Sequence, residues 1–136
     1  MKRLLMLLAA LTFVLPIPTA QATGPVVGAT CTFTWTEPQT NSDGTNLADL
    51  KEYRLLISQT SGAYGVVAAK IIPAPLADPA AGSVLTSACP SGIPQGQNFA
   101  VMIAVDLGGN TSVFSNEAPF VFDTVAPGAP IQLVPK

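Results

Sequence analysis

The side chains able to do chemistry in this chain are two cysteines, Cys31 and Cys89, and eight carboxylates, with no histidine anywhere in the 136 residues. A Ser, Thr or Cys nucleophile normally needs a neighbouring base, and the commonest base is His. None is present. The patterns G-x-S-x-G, H-E-x-x-H and G-x-x-x-x-G-K-[ST] are also missing. Paired carboxylates can hydrolyse glycosidic bonds. However, Glu37, Asp43, Asp49, Glu52, Asp78, Asp106, Glu117 and Asp123 sit mostly in turn-forming stretches and fall in no recognisable pairing. The expectation is a protein that is not an enzyme and takes no cofactor.

One stretch has a partial likeness to a cation site. Asn41-Ser42-Asp43-Gly44-Thr45-Asn46 alternates oxygen side chains ahead of a glycine, as a calcium loop does. Gln39 stands where the first acidic ligand belongs and Leu50 where the bidentate Glu belongs. The expectation is therefore a polar turn held by Asx hydrogen bonds, with no metal. Asn110-Thr111-Ser112 fits the N-glycosylation pattern. That pattern is common by chance, and an unmodified turn is expected.

The cysteines take their meaning from the first 22 residues. Lys2 and Arg3 open the chain, residues 4–15 are an apolar run, and Ala20-Gln21-Ala22 supplies an A-x-A cleavage site. That is the layout of a secretory signal peptide. An apolar run ended by Pro16 and Pro18 falls well short of the roughly 20 residues a bilayer span requires. A lipid anchor would need a Cys at the processing site, whereas Cys31 lies well past Ala22 and follows Thr30. Cleavage leaves 114 residues, with four basic side chains against eight acidic ones, a net charge of −4. Such a surface, poor in Lys and Arg, argues against nucleic acid and anionic membranes as partners. In an oxidising compartment, two cysteines 58 positions apart read as a structural disulfide rather than a metal or redox site. Two buried free thiols are the alternative, and a catalytic pair lacks the C-x-x-C pattern.

The elements that would position these residues are strands. From residue 30 to 36, Cys31, Phe33 and Trp35 alternate with four threonines, the period of a half-buried strand. Residues 37–46 are rich in turn formers and predict a loop. Tyr53, Leu55 and Ile57 then alternate with Arg54, Leu56 and Ser58 in a second strand. Further strands are expected at 64–67, 84–89, 99–105 and 112–122. Residues 73–79 hold three prolines, which suits a surface crossover. Residues 106–110, Asp-Leu-Gly-Gly-Asn, supply a hairpin turn. Pro119 places the final strand at a sheet edge. Residues 99–105 are apolar on both faces. An outer face covered by neighbouring loops is one explanation, and an apolar patch meant for a partner is the other. No helical stripe is evident, and short strands with regular turns predict a β-sandwich.

Several pieces now resemble a bacterial fibronectin type III domain, over residues 24–122. Phe33-Thr34-Trp35-Thr36-Glu37-Pro38 resembles the family's second strand with its core Trp, and Leu50-Lys51-Glu52-Tyr53-Arg54-Leu55 its third. Gly92-Ile93-Pro94-Gln95-Gly96 resembles the turn before the sixth strand. Ala104-Val105-Asp106, Gly109-Asn110 and Phe114-Ser115-Asn116-Glu117 are similar to the closing hairpin. The resemblance implies an all-β, immunoglobulin-like antiparallel β-sandwich of about seven strands. The chain would comprise the signal peptide at 1–22, the domain at 23–122 and a Pro-rich tail at 123–136, whose residues 123–130 resemble an inter-domain linker; a disordered tail is expected, and a segment that docks elsewhere is the alternative. The expected buried framework is Cys31, Phe33, Trp35, Tyr53, Leu55, Ile57 and Leu85. Two departures stand out. The family's corner Tyr is replaced by Asn98 and Phe99, so its hydroxyl tie is missing. The Cys pair is not a general family feature, yet Cys31 at the start of one strand and Cys89 at the end of its antiparallel neighbour would be close in such a sandwich. A covalent tie there would offset the lost corner bond.

The resemblance implies a recognition or spacer module, and no Arg-Gly-Asp adhesion tripeptide is present. The expected protein is an exported, periplasmic or extracellular monomer that binds a protein or glycan without catalysis. Its contact loops would be Asn41 to Asn46, including Asp43, and Leu107 to Asn110, with any exposed part of residues 99–105. A second reading is a structural subunit of a cell-surface or virus-like assembly, in which Phe120-Val121-Phe122 or the tail adds to a neighbouring sheet. A third, an accessory module of a polysaccharide-degrading system, rests on family analogy alone.

Overall fold

The computed structural model describes residues 24–74 and 82–128. The signal segment, the centre of the proline-rich crossover and residues 129–136 of the tail lie outside the described residues. The described chain is all-β and contains no helix, so none is long and apolar enough to cross a membrane. Its strands are β1 (Val26–Val27), β2 (Thr32–Thr36), β3 (Leu50–Ser58), β4 (Lys70–Pro73), β5 (Val84–Ala88), β6 (Gly96–Asp106) and β7 (Ala118–Phe122). They form a five-stranded sheet in the order β1-β7-β6-β3-β4 and a two-stranded sheet of β2 and β5, the layout of a β-sandwich.

Alternation decides which side chains meet between the sheets. Phe33 and Trp35 of β2 turn inward while Thr32, Thr34 and Thr36 are exposed. Phe33 packs edge-on to Phe120 of β7 at 5.6 Å between ring centres, and Trp35 edge-on to Tyr53 of β3 at 5.2 Å. Leu55, Ile93, Ala100 and Phe120 form the buried centre, with Cys31, Phe33, Ile57 and Cys89 against it. Tyr53 and Leu55 are buried, while Phe33, Trp35, Ile57 and Leu85 are half-buried. Cys31 and Cys89 are joined by a disulfide, with Cα atoms 5.5 Å apart. They extend the β2–β5 ladder by one pair beyond Thr32 and Ala88.

Four expectations need correction. Residues 64–67 are loop rather than strand, and the fourth strand is instead β4, whose Lys70–Pro73 pairs with β3. Residues 112–117 are not strand either, although this segment follows β6: Ser112 and Ser115 hydroxyls accept from the Ala104 and Met102 amides. Pro119 does not mark an edge strand, because β7 lies between β6 and β1. Its missing N–H costs no bond, since the amides on that side that donate are Val121 of β7, to the Pro25 carbonyl, and Asp123 just after it, to the Val27 carbonyl. Alternation aims position 119 beyond the start of that pairing. There the chains approach so closely that a Cβ on Gly24 would fall 1.7 Å from the Pro119 carbonyl oxygen. Finally, β1 runs parallel to β7, so the large sheet is mixed rather than wholly antiparallel.

The corner before β6 is also tied, though not by a phenol. Asn98 is wholly buried, and its amide donates to the carbonyls of Pro94 and Gly96, each at 2.8 Å. A short amide carried inside the turn does the work expected of a hydroxyl reaching back to it.

Candidate functional site

Three connections gather at one end of the sandwich. The β2–β3 loop (37–49) and the turn after Asp106 meet there, because Leu50 pairs with Asp106. The chain also leaves β4 and re-enters β5 at this end, where Thr36 pairs with Val84. The Leu107 amide donates to the Asp49 carbonyl at 2.8 Å, joining the first two loops directly. The candidate contact residues Asn41, Asp43, Asn46, Leu107 and Asn110 thus share one end of the molecule.

Each loop is held by its own side chains. Asp43 accepts from the Thr45 amide at 3.0 Å and the Thr45 hydroxyl at 2.7 Å, the bonding of an Asx turn. Asn41 donates through Nδ2 to Thr45 Oγ1 and the Asn46 carbonyl, and Thr40 bridges Asn46. In the second loop, Asp106 accepts from the Asn110 amide and from Asn110 Nδ2, both at 2.8 Å, around Gly109 at φ +84°. These donors favour the charged form, so both carboxyls lie below their ordinary range, Asp43 chiefly through the Thr45 hydroxyl and Asp106 through the Asn110 side chain. The carboxylates therefore serve as turn caps. Leu107, whose amide makes that joining bond, is 72% exposed. Among the described residues no three of His, Cys, Asp and Glu stand together as metal ligands.

Behind this end lies a buried polar group that the sequence did not reveal. Glu37 is 8% exposed and accepts from the Tyr53 hydroxyl at 3.2 Å. Burial, and after it the Glu37 charge, push the Tyr53 phenol well above its ordinary range. Trp35 Nε1 and Glu37 Oε2 are buried without a partner among the described residues. Reading Glu37 as the first residue of a turn-rich loop hid this role, which depends on Tyr53 reaching across from the other sheet.

The outer face of the large sheet answers the question posed by the doubly apolar β6. Leu56, Phe99, Val101 and Val105 point away from β2 and β5, yet all are buried. Glu117 stands on this outer side, just ahead of β7. It accepts from Ser61 Oγ at 2.7 Å, from the Gly62 amide at 2.9 Å and from the Tyr64 hydroxyl. Tyr64 also packs on Phe114, with ring centres 5.6 Å apart. These contacts draw the β3–β4 loop across β6 and over the apolar face. Exposed apolar side chains on this side include the loop residues Val66 at 99% and Val113 at 88%, and Ile71 of β4, opposite Arg54, at 56%. At the opposite end of the sandwich from the joined loops, a cavity of about 210 Å³ is lined by Ile57, Ala69, Ile93 and Pro94 among others. It carries no ionisable side chain.

No protein-family model, curated protein or solved structure matches the chain.

Proposed function

We propose that this protein is an exported, non-catalytic recognition module of the fibronectin type III kind, binding a protein or glycan through the joined loops at the β2–β3 end. The observation that carries this reading is the Leu107–Asp49 bond, which fixes two self-capped loops beside each other and is made by a leucine that is itself exposed. Turns whose side-chain bonds are already made lose little freedom on binding, so they favour a rigid contact surface. The Cys31–Cys89 disulfide fits an oxidising, exported setting.

Site-directed photo-crosslinking in the native cell tests the proposal. A photoreactive residue at Leu107 or Ser42 is expected to capture a discrete partner, and the same residue at Gln59, at the opposite end, is expected not to. Equal capture from both ends, or none from the loop end, would sink the reading. Replacing Leu107 with Asp should weaken capture from position 42 without altering secretion or the disulfide.

A further inference from the structure

The two-stranded sheet has an unguarded side. Cys89 donates to the Cys31 carbonyl and Glu37 to the Ser83 carbonyl, both at 2.9 Å. In β2 the odd-numbered residues therefore carry the ladder to β5, and the N–H and C=O groups of Thr32, Thr34 and Thr36 point the opposite way. Among the described residues, no hydrogen bond reaches those groups.

The other described edges are poorly suited to pairing. β1 is two residues long. The Ala74 amide bonds the Lys51 carbonyl, which leaves β4 presenting outward only Ile71 and Pro73, and Pro73 has no N–H. On the free side of β5, Lys70 Nζ donates to the Ala88 carbonyl at 2.7 Å. A lysine there is a common guard against strand addition. β2 has no lysine, no proline and no bulge.

Its sequence, Thr32-Phe33-Thr34-Trp35-Thr36, is symmetric in character about Thr34. We infer that β2 pairs antiparallel with β2 of a second copy, across a two-fold axis at Thr34, joining the two small sheets into one of four strands. In that register Thr34 faces Thr34 and Thr32 faces Thr36 of the second copy. Each outward N–H then meets an outward C=O, three donors from each strand making six bonds. A slip of two residues in either direction would leave donors unpaired. Thr opposite Thr is a favourable cross-strand pair, and no charged side chain on the strand meets a like charge. The contact is isologous, as a two-fold dimer requires. The expectation of a monomer takes no account of which edges the fold leaves open.

Sedimentation equilibrium tests this on the oxidised chain from residue 23 onward, which carries all seven strands, over about 1 µM to about 1 mM. The unsubstituted chain should pass from monomer to dimer. Thr34→Lys and Thr34→Glu, at an exposed position, should each remain monomeric, because the axis brings like charges together. An equimolar mixture of the two should dimerise again, since Lys then faces Glu. Trp35 fluorescence and non-reduced mass verify that each variant is folded. A wild-type chain monomeric throughout, a Thr34→Lys chain that dimerises as the wild type does, or a mixture that stays monomeric would each overturn the inference. The readout is mass without any ligand, so its failure leaves the loop-end reading untouched, and the converse holds.

Discussion

Asn98 lies beneath Pro94, its Nδ2 2.8 Å from the Pro94 carbonyl oxygen, and closes the corner from which β6 starts. The same amide reaches Gly96, so one buried side chain satisfies two turn carbonyls. Asn98→Leu removes both bonds, and the expected loss is about 2–3 kcal/mol. It should appear as a lower denaturant midpoint at unchanged slope. Asn98→Asp keeps the shape but sets a buried charge against two carbonyls, so it should cost more at pH 7 than at acid pH. Unfolding curves that match the wild type would show that the corner does not depend on this amide.

Tyr53 and Glu37 form the one buried side-chain hydrogen bond among those described between the two sheets. Tyr53→Phe leaves a Glu37 oxygen buried without its donor, at an expected cost of about 1–3 kcal/mol. The alkaline limb carries a second signature. The folded phenol holds its proton above the unfolded value of about 10, so stability is retained below that pH and lost as pH rises past it. The Tyr64 phenol is also raised, by burial and then by Glu117. Tyr53→Phe should therefore reduce, without abolishing, the fall in unfolding free energy between about pH 9 and about pH 11. An unchanged alkaline slope would contradict the assignment.

The strands legible in the sequence are those whose alternation reflects a single buried face, together with β6, whose apolar run is bounded by turn formers. β2 and β5 show the alternation, and β3 shows it over Tyr53, Leu55 and Ile57. β1 and β4 are too short for a period to register. Residues 64–67 have strand-forming side chains, but Tyr64 is held by Glu117, 53 positions away, and no local pattern encodes that contact. The candidate loops were legible because Asx turns are encoded within a few residues: Asp43 with Thr45, and Asp106 with Asn110. Their meeting through Leu107 and Asp49, and the buried Glu37, depend on how strands are ordered in space. That order is a property of the whole chain.

The disulfide closes a 58-residue separation, for which chain entropy gives about 4 kcal/mol of stabilisation. It also holds the open end of a sheet of only two strands, which a corner tie at Asn98 on another strand cannot replace. Reduction, or paired Cys31→Ala and Cys89→Ala substitution, should lower the unfolding free energy by roughly that amount. Equal stability of the oxidised and reduced chains would show that the bond is dispensable, despite its place against the core.

Glu117 makes the cover over the outer face sensitive to acid. Its carboxyl is held below the usual carboxylate range, first by the Tyr64 hydroxyl, then by Ser61 and the Gly62 amide. Its folded value is the lower one, so the stabilisation is complete above the unfolded value near 4.5 and is lost as pH falls through the folded value. Asp43 and Asp106 are lowered in the same way and add to the same acid limb. Glu117→Gln should therefore leave part of that limb in place while loosening residues 60–69 even at neutral pH. The measurement is amide exchange at Gly62, whose N–H faces the carboxylate, alongside binding of an apolar dye. Relative to the intrinsic exchange rate at each pH, the wild-type amide should lose protection, and dye binding should rise, only as pH falls below 4.5, whereas Glu117→Gln should show both at pH 7. Leu56, Phe99 and Val101 are the surface such opening would expose. A variant that exchanges and excludes dye as the wild type does at pH 7 would mean that packing of Tyr64 on Phe114 suffices to hold the loop down.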